Sequence, residues 1–97
     1  MYAITKTLNI ADLKATTTED LLHGRFTLKV KGYVSPELLS ELVHRVNTIT
    51  ARETDDSVFL TVTDKPRRKD GKHKIDLLAY NDLGRSRELT WLVSLFS

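Results

Sequence analysis

The chain has 97 residues, 15 of them Lys or Arg and 13 Asp or Glu, for a formal net charge of +2; 40% are hydrophobic and 29% charged. That length allows one domain, residues 1–97, with a single core, and the composition argues against wholesale disorder. There is no cysteine, so disulfides, thiolate metal sites and cysteine nucleophiles are excluded together, and a reducing, cytoplasmic setting is the default.

In chain order, Tyr2 to Ile10 reads as a strand with Ile4, Leu8 and Ile10 on one face, interrupted by Lys6. An apolar face broken by a lysine suits an edge strand. Asp12 to His23 reads as a loop followed by one helical turn. Thr16-Thr17-Thr18 is poor helix material but supplies capping-box spacing before Leu21 and Leu22, and Gly24 ends the turn. Arg25 to Val34 is the clearest strand: Phe26, Leu28, Val30 and Val34 alternate with Arg25, Thr27, Lys29, Lys31 and Tyr33.

Ser35-Pro36 starts a helix, with Ser35 as N-cap and Pro36 at the first position, where its missing N–H costs nothing. Leu39, Leu42, Val43, Val46 and Ile49 form its apolar stripe, and it fades between Thr48 and Arg52. Glu53 to Asp56 is a short acidic turn. Val58 to Val62 and Ile75 to Tyr80 alternate as two further strands. Asn81-Asp82-Leu83-Gly84 signals a turn, and a last helix starts near Asp82 or Ser86 and runs to the C-terminus. The expected core draws on Phe26, Leu28, Val30, Leu39, Leu42, Val43, Val46, Val58, Leu60, Val62, Ile75 and Leu77. The expected architecture is a two-layer α+β fold: a four-stranded, mainly antiparallel sheet with two helices in the order ββαββα. The helical stripes do not decide whether the last helix joins the first on one face or covers the other.

The most distinctive stretch is the link between the last two strands, Asp64 to Lys74. It carries Lys65, Arg67, Arg68, Lys69, Lys72 and Lys74 against only Asp64 and Asp70. The rest of the chain holds nine basic and eleven acidic residues, so the basicity is local. Such a tongue is longer than ordinary hairpin loops and holds no apolar residue to pin it, so it reads as mobile and as an anion-binding finger. A solvated hairpin protecting a sheet edge would look the same.

A second candidate is the sheet face opposite the first helix, where Lys29, Lys31, Tyr33 and Phe59 would interleave cations with rings, as single-stranded nucleic acid requires. The plainer expectation is that Phe59, Leu78 and Tyr80 meet the last helix as a second small core. A third is the last helix, whose Trp91, Leu95 and Phe96 leave little polar surface and suggest a homodimer or partner interface.

Catalysis has little support. His23, His44 and His73 have no metal-ligand spacing, Glu53, Asp55 and Asp56 lack the pattern of a calcium loop, and no glycine-rich phosphate loop exists. No metal or cofactor is expected, and no apolar run approaches a membrane span. The favoured reading is a non-enzymatic nucleic-acid-binding module using the basic hairpin. The alternative is a small regulator or inhibitor that docks on a protein partner, on its acidic or nucleic-acid-binding surface. The third is a metal-independent ribonuclease using His73 with Arg67 and Arg68.

Overall fold

The computed structural model describes residues 3–10, 12–52 and 55–96. Tyr2, expected to open the first strand, and Glu53, expected in the acidic turn, lie outside them. The elements are β1 (Ala3–Ile10), β2 (Leu13–Asp20), β3 (Arg25–Val34), α1 (Pro36–Ala51), β4 (Ser57–Val62), β5 (His73–Asn81) and α2 (Arg87–Ser94). The five strands form one antiparallel sheet in the order β1-β2-β3-β5-β4.

The α+β class and the two helices stand as the sequence implies, but the sheet has five strands rather than four, and the order is βββαββα. The additional strand is β2, where a loop and a helical turn were expected. Three consecutive threonines fit a pleated surface better than a helix, because their branched carbons crowd the preceding helical turn. The alternation is faint because Ala15 is the only fully buried residue of β2. The presumed helical turn is instead the β2–β3 hairpin loop. Asp20 Oδ1 accepts from the Leu22 and His23 amides at 3.1 and 3.2 Å, an Asx turn that draws this segment away from helix.

Apolar alternation in the two central strands sets the core. Leu28 stands across from Ala79 and Val30 across from Leu77, and all four are fully buried. Both helices pack on this one face. Ser35 caps α1 through a 3.2 Å bond from the Leu38 amide, and Leu42, Val46 and Ile49 enter the core. Leu39 packs against it from the margin. Val43, expected in the core, is instead 37% exposed at the outer edge of the stripe. Ser86 caps α2 in the same way, accepting from the Leu89 amide at 3.1 Å. Its hydroxyl also donates to Asp56 at 2.7 Å, and Asp56 accepts from the amide of buried Asn81 as well. This network ties the start of α2 to the end of β5 and to the segment leading into β4.

Because α2 lies beside α1, no second core forms under Phe59, Leu78 and Tyr80, contrary to the plainer sequence expectation. The opposite face of the sheet carries no helix.

One backbone position is sterically fixed. Gly32 has φ +137°, and a Cβ there would lie 2.0 Å from the Asp12 carbonyl oxygen. That oxygen accepts from the Tyr33 amide at 3.2 Å, so the β1–β2 turn is pressed against the end of β3. Gly32→Ala is expected to cost about 3 kcal/mol in denaturant unfolding through combined strain and overlap. A loss within experimental error would show that the turn can move away freely.

Candidate functional site

On the uncovered face, alternation brings forward Lys14, Thr16 and Thr18 of β2, Lys29 and Lys31 of β3, Lys74 and Tyr80 of β5, and Phe59 of β4. The pairing arranges them in rows across the sheet. One row runs Lys14, Lys31, Asp76 and Thr61; the next runs Thr16, Lys29, Leu78 and Phe59. Directly opposed like charges, such as Lys14 and Lys31, weaken a strand pair, although Asp76 on the other side of Lys31 offsets part of the repulsion. Phe59 is 58% and Tyr80 37% exposed. Their rings stack with centroids 6.3 Å apart.

The tongue folds back beside this face as a tight secondary hairpin. The Arg67 amide donates to the Lys72 carbonyl and the Gly71 amide to the Arg67 carbonyl, both at 2.8 Å. At its base the Thr63 amide and hydroxyl both donate to the Lys74 carbonyl, at 3.0 and 2.8 Å. His73 Nδ1 donates to the Thr63 carbonyl at 3.2 Å.

Arg67 is the centre of the tongue. Its guanidinium lies 4.0 Å over the Tyr33 ring and binds the Asp70 carboxylate through Nε and Nη2. It also reaches Asp12 at 3.1 Å. Lys72 Nζ meets the same Asp12 oxygen at 3.1 Å. Hydrogen bonds from these cations hold the Asp12 and Asp70 carboxyls below their usual value of 3.8, and Asp70 raises the Arg67 guanidinium further. The expectation of a tongue with nothing to pin it therefore needs amending: polar contacts to the β1–β2 turn and to β3 do what apolar ones do not.

The six basic residues of the tongue thus divide. Arg67 and Lys72 are engaged internally. Lys65, Arg68, Lys69 and Lys74 are exposed and, among the described residues, have no ion-pair partner. The sheet candidates Lys29, Lys31 and Phe59 lie on the open face with Lys74, and Tyr33, on the same face, lies half-buried beneath Arg67. The α2 candidates lie elsewhere. Phe96 is 2% exposed within the core and Leu95 packs against it. Trp91 alone is substantially open, at 38%, with the Arg52 and Arg87 guanidiniums 5.1 and 5.8 Å from its ring. Much of the apolar girth that suggested an external partner is taken up inside the chain.

Sequence reasoning missed Lys14 and Asp12. Lys14 belongs to the unrecognised β2, where Lys14, Thr16 and Thr18 alternating with Leu13, Ala15 and Thr17 was the available signal. Asp12 is 55 residues from Arg67 and 60 from Lys72, and nothing local points to either contact. Among the described residues no group of three or more His, Asp or Glu could hold a metal ion, and no helix is long and apolar enough to cross a membrane. No family model matches this chain, and no curated protein or solved structure matches it.

The ion pairs give the tongue a pH signature. Carboxyls held below 3.8 keep the pin fully formed above that pH and lose it as the pH falls through their depressed values. Backbone 15N order parameters for residues 64–72 should stay near strand values at pH 7 and drop in Arg67→Ala, with the sheet unaffected. Order parameters unchanged by that substitution would show that the backbone bonds alone hold the tongue.

Proposed function

We propose that this chain is a non-enzymatic nucleic-acid-binding module that grips phosphates with the open sheet face and the adjoining basic hairpin together. The observation that carries this reading is the placement of both helices on one side of the sheet. It leaves Lys14, Lys29, Lys31 and Lys74 on an unobstructed face, beside a tongue whose Lys65, Arg68 and Lys69 have no internal ion pair. Lysines without a carboxylate partner are free to replace the counterions of a phosphate backbone, and the release of those ions drives binding. Arg67 and Lys72, already neutralised by Asp12 and Asp70, serve in this reading to hold the tongue in place rather than to carry the ligand.

A protein-docking regulator is the second reading. It is supported by apolar side chains left open away from this face, on β1 (Ile4, Leu8 and Ile10, each 43–44% exposed) and on the turns at one end of the sheet (Leu21, Leu22 and Leu83, 61–78% exposed). The ribonuclease reading gains less: the His73 imidazole spends Nδ1 on the Thr63 carbonyl.

Fluorescence anisotropy with labelled oligonucleotides across a salt series tests the proposal. If about four phosphates are neutralised, log K should fall with log salt at a slope of roughly −3 to −4. Lys29→Ala with Lys31→Ala, and separately Arg68→Ala with Lys69→Ala, should each flatten the slope by ~1–2 and weaken all sequences alike, since phosphate contacts carry no base information. No binding at low salt would make the protein-docking reading the leading one.

A further inference from the structure

We infer that the ligand of the open face is single-stranded and that Phe59 and Tyr80 form a base-stacking subsite on it; this rests on the nucleic-acid reading above. Phe59 is a large aromatic on edge strand β4, 58% exposed, on a face that no helix covers. Among the described residues its ring has one aromatic neighbour, Tyr80, at 6.3 Å and an interplanar angle of 27°. Tyr33 on the same face differs, because the Arg67 guanidinium already lies over its ring. Phe26 is buried beneath Arg85 on the other side of the sheet. The Phe59–Tyr80 pair is therefore the aromatic surface that this face offers.

The row register sets a cation beside it. Lys29 pairs with Leu78, and Leu78 with Phe59. The Lys29 and Phe59 backbones thus sit two strand spacings apart, about 10 Å at the usual inter-strand distance. Thr27, Tyr80 and Ser57 form the neighbouring row. A nucleotide whose base lies on the rings can direct its phosphate towards Lys29, and the strand can continue towards Lys31, Lys14 and the tongue.

Only unpaired bases can use such a surface. In a duplex the ring faces are stacked on one another, and freeing one costs unstacking energy that a flat sheet has no wedge to recover. Stacking on exposed rings is tolerant of base identity, because every base presents a π-face. The ordinary alternative is that Phe59 and Tyr80 stabilise the sheet edge as a cross-strand pair. That role would appear in unfolding and not in binding.

The test compares the full-length chain with labelled 20-nucleotide single-stranded DNA and RNA, the matching duplexes, and an abasic oligonucleotide of equal length. Wild type should prefer single strands. Phe59→Ala should weaken single-strand binding about tenfold with the salt slope unchanged, and Phe59→Tyr should restore it. The abasic strand should bind wild type no better than Phe59→Ala binds the normal strand. Thermal unfolding of each variant checks that the fold is kept, and Tyr80→Ala gives an independent second variant. If both aromatic variants bind as wild type while the lysine variants lose affinity, stacking is overturned and phosphate binding stands. Duplexes bound as tightly as single strands would overturn the single-strand assignment. If wild type binds neither form, both readings fall.

Discussion

Everything about the accessible surface follows from one constraint: the apolar halves of β3 and β5 face the same way and are covered once. Phe26, Leu28, Val30, Ile75, Leu77 and Ala79 form a continuous buried band, and α1 and α2 share it. Antiparallel sheets can leave one face to water, and here the interior side chains of two helices are satisfied on one side. Phe96, at the end of α2, reaches the same core and is 2% exposed. With both helices on that side, the opposite face is left to lysines, threonines, half-buried Leu78 and the rings of Tyr33, Phe59 and Tyr80.

The same constraint locates the tongue. β5 is a central strand and β4 its edge partner, so the connection between them leaves the sheet beside the end of β3 and the β1–β2 turn. Gly32 lets that turn approach β3 at a distance that would forbid a side chain, and Asp12 is thereby delivered to Arg67 and Lys72. A segment rich in like charge would otherwise repel itself. Two carboxylates and the Tyr33 ring give it a fixed course at exposed positions, where each ion pair taken singly contributes little and the shared geometry does more.

The parts of this design that could be read from sequence are those with strong local signals. β3 alternates cleanly over ten residues, α1 announces itself with a serine cap and an apolar stripe, and α2 by its apolar stripe, with its start left between Asp82 and Ser86. β2 was misread because its neighbours supply its order: its single buried alanine stands between a lysine and three threonines, and the strand is held by pairing on both edges rather than by its own hydrophobic pattern. Val43 was misassigned because a helical stripe wider than the surface it meets leaves its margin in water. The site shows the same division. The concentration of charge between Asp64 and Lys74 was visible, as was the interleaving of Lys29, Lys31, Tyr33 and Phe59. Which cations are already partnered was not, because Asp12 and Arg67 meet only through the fold.

That last distinction alters what the charge means. Counted in sequence, Arg67 looks like the best phosphate ligand of the tongue, since its guanidinium can donate in a fork. In the folded chain that fork is filled by Asp70 and Asp12, and its flat surface rests on Tyr33, so an incoming phosphate would have to displace carboxylates already in place. Lys29, less conspicuous in sequence, faces no such competition. Lys31 and Lys14 stand opposite one another, an arrangement that weakens the sheet and is relieved when an anion lies between them. The most basic segment thus supplies its own anchor, and the cations with the most to gain from a ligand lie partly on the sheet beside it. Formal charge names a region; the pairing of each charge within the fold decides which members of it remain available.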